Sequence, residues 1–237
     1  MKYQIRHFVL VVFLCALTLW GCNRGNSGSN SSAPADDVFD KDTSYAIGMN
    51  LALNMKDSGF IPEAKSFFEG FKDGQGGGKT RFSAEEAEEK IEQALTARTE
   101  KENEGRIQAE KDFLTENGAK PNVITTGSGL QYEVISEGSG AKPSAADIVR
   151  VDYEGTFTDG SPFDSSYAQG QPAEFPLNMV ISGWTEGLQL MSVGSKYKFY
   201  IPSNLAYGPQ GGGRIPPYSV LIFEVELLDI LAPPVEN

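Results

Sequence analysis

The side chains that most often attack a substrate, carry its proton or hold a metal crowd into one end of this sequence. Its single histidine is His7, and its two cysteines are Cys15 and Cys22. Lys2 and Arg6 precede the apolar run Phe8 to Trp20 and then Gly21, the basic, greasy and small order of a secretory signal peptide. That run falls short of the roughly 20 apolar residues a membrane-spanning helix requires. Cutting away residues 1–21 removes His7 and Cys15, and the loss of Lys2 and Arg6 takes the net charge from −12 to −14. The remaining body has no imidazole for Ser-His-Asp or Cys-His nucleophilic schemes. It also lacks the ligands of an ordinary zinc site, so no metal and no cofactor are expected. The acidic balance argues against a nucleic-acid partner, because phosphates are bound by clustered Lys and Arg. Whatever the chain does, it does without imidazole or thiolate.

The sequence Leu19-Trp20-Gly21-Cys22 resembles the bacterial lipobox, in which the Cys thiol is acylated and becomes the first residue. Cys22 is thus the expected lipidation site, and Trp20 is bulkier than the small residue usual at its position. Residues 22–37 are rich in Gly, Ser and Asn without periodicity, as a flexible tether would be. Together these features place the protein in a bacterial cell envelope, held by a lipid anchor. Asn23, where inner-membrane retention uses Asp, favours the outer membrane, facing the periplasm or the cell surface.

Residues 38–118 carry helical spacing. Tyr45, Met49 and Leu53, with Ala46 and Leu51, mark a first helix ending at Ser58-Gly59. Ala64, Phe67, Phe68 and Phe71 mark a second, with Pro62 in its first turn. A third opens at Ser83 with Glu86 three residues on, a capping-box pattern, and runs toward Asn117-Gly118. Its apolar residues sit at the two ends, while Arg98 to Arg106 is almost wholly polar, so it reads as a solvated arm. The two short helices hold more aromatic and Met residues than so small a unit can bury, which points to self-association. From Thr125 the period becomes two: Leu130, Tyr132, Val134; Val149, Val151, Tyr153; Tyr197, Phe199, Ile201; and Leu221, Phe223, Val225, Leu227. One helical segment, Gly183 to Met191, interrupts them. The fold class is α+β: a C-terminal antiparallel sheet wrapped around one short helix, preceded by an all-α arm with a long connecting helix.

The segments VRVDYEGTFTDGSPFDSS, PLNMVISGWTEGLQLMSVGSK, YIPSNLAYG and RIPPYSVLIFEVELLDI resemble, in order and spacing, the FKBP domain of prolyl isomerases, over residues 125–231. The stretches SYAIGMNLALNMKDSG and SFFEGFKDG resemble the macrophage infectivity potentiator branch, whose members dimerise through N-terminal helices. The resemblance implies peptidyl-prolyl cis/trans isomerase activity on unfolded or exported proline-containing polypeptides, and a homodimer joined by residues 38–118. Its pocket residues carry over to Tyr153, Phe163, Asp164, Ile181, Trp184, Tyr207 and Phe223, with Phe175, Val180 and Ile215 as further substrate contacts. In this set Trp184 is the floor under the proline ring. The Ile181 N–H and the Tyr207 hydroxyl hold flanking carbonyls. Asp164 either stabilises the twisted amide or fixes a neighbouring Tyr. A His in the flap of single-domain relatives is replaced by Gly211, and the flap is expected to be more mobile.

Physics favours the same chemistry. Rotation about an Xaa-Pro bond breaks no bond, so it needs no nucleophile, acid or metal; its barrier, about 18–20 kcal/mol, comes from amide resonance. The planar amide is the more polar form and loses most when water is removed. Taken singly, Phe223 and Phe175 are ordinary core, Tyr207 a turn residue and Asp164 a cap. Their joint occurrence at the family spacing overrides those readings. The competing function is a chaperone or binding module for unfolded clients, with incidental isomerase activity.

Overall fold

A computed structural model describes residues 39–76 and 79–231. The expected signal peptide, Cys22 and the tether over 22–37 lie outside the described residues. The chain forms two compact units that meet between Thr80 and Arg81, so the long helix belongs with the C-terminal unit.

In the first unit, α1 spans Lys41–Asp57 and α2 spans Ala64–Gln75. Asp40 caps α1 by accepting from the Thr43 N–H at 2.7 Å. The helix ends in a Schellman turn: Gly59, at φ 68°, donates to the Lys56 carbonyl and Phe60 to that of Met55, both at 2.8 Å. Glu63 caps α2, accepting from the N–H groups of Lys65 and Ser66 at 2.9 and 2.8 Å. Pro62 therefore stands ahead of the cap instead of in the first turn, because the Glu63 side chain has taken the capping role. No residue of either helix is buried within the chain. Ile47, Leu51, Met55, Phe60, Phe67 and Phe71 instead line an apolar groove of about 850 Å³.

The second unit begins with α3, Ala84–Gly118, whose 35 residues carry both bonds of the expected capping box between Ser83 and Glu86. Asn117 is its only buried residue. Seven antiparallel strands follow: β1 (Ile124–Thr125), β2 (Gln131–Ser136), β3 (Ile148–Thr156), β4 (Pro162–Ser165), β5 (Ala173–Pro176), β6 (Lys196–Ile201) and β7 (Leu221–Leu231). Their order is β1-β2-β6-β7-β3-β4, with β5 also paired to β3. The inward residues of β3, β6 and β7 are buried as their alternation predicts. Val134 is an exception. It is exposed where the β2–β6 ladder shifts register, so the end of β2 leaves the core.

Two short helices cross between strands, α4 (Ser166–Gln169) and α5 (Ser182–Leu188). On α5, Gly183 and Gly187 lie four residues apart and so on one face. A Cβ at Gly183 would stand 2.4 Å from the Ile201 side chain, and one at Gly187 2.7 Å from the Phe199 ring. Only hydrogen at both positions lets α5 lie this close to β6, and that closeness buries Trp184 and Leu188.

On the other face of the sheet, the last turns of α3 dock through the Phe113 ring, 6.1 Å from that of Tyr200. Gln131 donates to the Leu114 carbonyl at 2.8 Å and accepts from Asn117 at 2.9 Å. A sheet side chain thus ties the last turn of α3 to β2 through both a backbone carbonyl and a side-chain amide.

If the glycine contact sets the helix–sheet spacing, Gly187→Val should lower stability by about 1–3 kcal/mol through overpacking. Thermal unfolding followed by circular dichroism checks this; a melting temperature equal to the parent's would refute the packing account.

Candidate active site

Five aromatic rings converge from five elements: Tyr153 on β3, Phe163 on β4, Phe175 on β5, Trp184 on α5 and Phe223 on β7. Register brings them together, since Gly155, two residues beyond Tyr153, pairs with Phe223, which also faces Phe199 across the β6–β7 ladder. Trp184 is the hub. Its centroid lies 5.2 Å from Tyr153 at 90°, 5.5 Å from Phe175 at 89° and 5.1 Å from Phe223 at 81°. Phe163 meets Phe223 edge-on at 5.3 Å. These are the edge-to-face contacts that aromatic quadrupoles prefer.

Burial grades outward from this hub. Trp184 and Tyr153 keep 4% exposure and Phe223 keeps 6%. Phe163, Phe175, Val180, Ile181 and Ile215 are half-buried and packed against them. Tyr207 is 44% exposed, and it lies close enough to Tyr153 to disfavour ionisation of that phenol. All the residues the sequence singled out in the C-terminal unit are therefore brought to one place. Trp184 itself is nearly covered by its neighbours.

The polar groups are ordered. The Tyr153 hydroxyl donates to Asp164 Oδ2 at 2.6 Å. Asp164 Oδ1 accepts from the Ser165 N–H at 2.9 Å and from Gln169 Nε2 at 3.4 Å. Both carboxylate oxygens are thus engaged within the protein, and one of them orients Tyr153. Buried Ser166 accepts from the Tyr153 N–H at 3.0 Å and donates to Asp152 at 2.8 Å, which pins α4 to β3. Thr185 donates to the Leu177 carbonyl at 2.6 Å, anchoring the segment that leads through Val180 to Ile181 at the start of α5. The Trp184 indole N–H is buried with no acceptor among the described residues.

A sequence profile described as FKBP-type peptidyl-prolyl cis-trans isomerase matches residues 139–228, and one described as the domain amino terminal to it matches residues 40–134. The chain is 43% identical over 209 residues to "FKBP-type peptidyl-prolyl cis-trans isomerase FkpA" of Aeromonas hydrophila, covering 82% of this chain and 78% of that protein. It is 39% identical over 200 residues to "Outer membrane protein MIP" of Legionella longbeachae, covering 81% and 86%. The crystal structure of FkpA from Escherichia coli superposes with a TM-score of 0.67 at 36% identity, covering 85% of this chain and all of that one. The chain belongs to the FKBP-type peptidyl-prolyl cis-trans isomerases.

Two glycines shape the site of this FKBP domain, and neither was among the residues expected from the sequence. A Cβ at Gly155 would come 2.7 Å from the Phe163 ring and 2.9 Å from that of Phe223, so its absence lets those rings meet. The signal was a glycine inside a strand pattern, which often marks close approach. A Cβ at Gly212 would lie 2.8 Å from the Tyr207 ring. The flap closes here as a turn, with Gly212 and Ile215 donating to each other's carbonyls at 2.9 and 2.8 Å. At Gly211, φ is 63° and a Cβ would stand 2.4 Å from the Ile215 carbonyl oxygen. This backbone has no room for the His of single-domain relatives.

Burial, then the bond to Asp164, raises the Tyr153 phenol well above its ordinary range. Burial and Glu137, 2.8 Å away, push Tyr197 up to about 12. Burial and Glu133 raise Tyr200 as well. A phenol that holds its proton more tightly folded than unfolded contributes stability below the unfolded pKa of about 10 and loses it as pH rises through the folded value. Folding stability should therefore fall between about pH 10 and pH 12, and less steeply in Tyr197→Phe. Urea unfolding at stepped alkaline pH reads the slope; equal slopes in the two proteins would contradict the assignment.

Proposed function

We propose that this isomerase lowers the rotation barrier of Xaa-Pro bonds by taking the amide out of water over an aromatic floor, with no covalent step. Uncatalysed exchange takes tens to hundreds of seconds. A proline ring settling against Trp184, walled by Tyr153, Phe163, Phe175, Val180, Ile215 and Phe223, would strip water from the planar amide and so destabilise its more polar state. The Ile181 N–H and the Tyr207 hydroxyl are the donors for carbonyls flanking the bond. Held groups aimed at the twisted state favour it over the planar ground state. Asp164 acts through Tyr153, keeping that ring fixed as a wall. The observation that carries this reading is the edge-to-face cluster centred on Trp184 in a chain of this family.

The same proposal covers the setting. The relatives named FkpA and outer membrane protein MIP support a protein of the bacterial envelope. Cys22 is the anchor to the outer membrane, residues 1–21 the signal peptide and 22–37 the tether. Residues 38–118 are the dimerisation domain with its connecting helix, and 125–231 are the isomerase domain. A homodimer is favoured by α1 and α2, which bury nothing within the chain and present Tyr45, Phe68 and Phe71 to solvent, with Ile61 exposed between them. A second copy covering the groove beside Ile47 and Phe67 would remove that apolar surface from water. Client binding in this groove is the second reading, and it draws on the same apolar lining.

Three measurements test the proposal. In a protease-coupled assay on Xaa-Pro tetrapeptides, Tyr207→Phe should lower kcat/KM about tenfold, the equivalent of one lost hydrogen bond of roughly 1.4 kcal/mol. No acceleration by the parent protein would end the enzyme reading. In sedimentation equilibrium, Phe68→Asp with Phe71→Asp should halve the apparent mass; an unchanged mass would remove the dimer interface from these helices. Acyl labelling in cells should vanish in Cys22→Ala, and its persistence would exclude Cys22 as the anchor.

A further inference from the structure

We infer that Glu110, on α3 and outside the aromatic cluster, is a positioning residue for Tyr207. The inference rests on the reading of Tyr207 given above. After β6 ends at Ile201, the chain passes through Pro202, which has no N–H, into the short turn Ser203–Leu205 and then to Tyr207. Ser203 is buried, and both of its donors go to one side chain. Its N–H reaches Glu110 Oε1 at 2.6 Å and its hydroxyl reaches Oε2 at 3.0 Å. These are charge-assisted bonds of the stronger kind, and the two together fix the orientation of the turn as well as its distance from α3.

From that anchor the path to Tyr207 is short. Ala206 donates back to the Ser203 carbonyl at 3.0 Å, so the turn is closed on the residue that Glu110 holds. Tyr207 follows directly. Gly208 then accepts from the Tyr218 N–H at 3.0 Å, linking this loop to the one that carries Ile215. Tyr218 holds φ 56°, a left-handed conformation that a bulky side chain adopts only when its surroundings impose it. Arg106 and Glu110 of α3 face Phe157, Pro217 and Tyr218 across a cleft of about 230 Å³, so α3 backs both loops. On its far side the Tyr207 ring rests against Gly212. Tyr207 thus sits in a loop whose strongest tether outside the loop itself is a carboxylate on the connecting helix. The end of α3 is in this sense part of the site's support, although it contributes no group to the rim.

The full-length protein tests this in the tetrapeptide assay, with each variant's thermal melt measured so that rates are taken on folded protein. Glu110→Ala should lower kcat about fivefold and leave KM within twofold, because the Tyr207 hydroxyl is lost from its place without loss of the apolar floor. Glu110→Gln, which keeps an acceptor for the Ser203 N–H, should recover to within about twofold of the parent. In a Tyr207→Phe background, Glu110→Ala should cost less than 1.5-fold more, since residues acting through one group are not additive. Should Glu110→Ala fail to fold, Ser203→Ala carries the same comparison, with a loss of about twofold in the parent and none in Tyr207→Phe. A parental kcat in Glu110→Ala beside an impaired Tyr207→Phe would overturn the inference alone. So would a loss of the same factor in both backgrounds, which marks a general structural effect. A parental rate in Tyr207→Phe would overturn both this inference and the role given to Tyr207.

Discussion

The distance between α5 and β6 governs the C-terminal unit, because Trp184 is carried on the helix while the rings that surround it are carried on the sheet. Gly183 and Gly187 set that distance from the helix side, and Ile201 and Phe199 set it from the strand side. With any larger residue at either glycine, the helix would stand off by a fraction of an ångström or more. Trp184 would then lose its edge-on contacts with Tyr153, Phe175 and Phe223 together, since all three are made to one ring. Aromatic pairs contribute about 0.5–1.5 kcal/mol each beyond area burial, so the cluster is both a core and a surface held at fixed geometry.

That double role explains a feature a pure core would avoid. Buried donors nearly always find acceptors, and leaving one unpaired costs about 1–3 kcal/mol. The Trp184 indole N–H has no acceptor among the described residues, whereas the neighbouring Tyr153 hydroxyl has Asp164. The ring is placed for its faces and edges, and its nitrogen is left over. The cluster also accounts for how an isomerase can work in a C-terminal unit that holds neither imidazole nor thiol. Amide rotation transfers no proton to the protein and breaks no bond, so a fixed apolar surface with a few oriented donors is sufficient chemistry.

The two units solve the problem of burial differently. In the C-terminal unit the sheet is covered on one face by α5 and on the other by the last turns of α3, with Gln131 bonded to both the Asn117 side chain and the Leu114 carbonyl. In the first unit α1 and α2 are well capped but bury no residue of their own. Good caps fix where a helix begins and ends, and they supply no core. A unit with eligible apolar residues and nothing of its own to cover them gains most from an external surface.

Most of the elements were legible in the residue order alone. Alternation marked the inward residues of β3, β6 and β7, and the pattern from Ser83 to Glu86 marked the start of α3, because face and cap are set by neighbours within a turn or a pleat. The sequence also shows that residues 81–231 hold no His or Cys. The candidate site residues came from matching long segments to a known family, and no period or cap would have supplied them. Tertiary structure decided the rest. It turned Val134 outward at a register shift, it used Gly155 and Gly212 as the gaps into which rings close, and it engaged both oxygens of Asp164. The Tyr153–Asp164 bond spans 11 residues and the Glu110–Ser203 pair spans 93. Contacts at such separations depend on strand register and on where α3 docks, quantities that no local stretch of sequence carries.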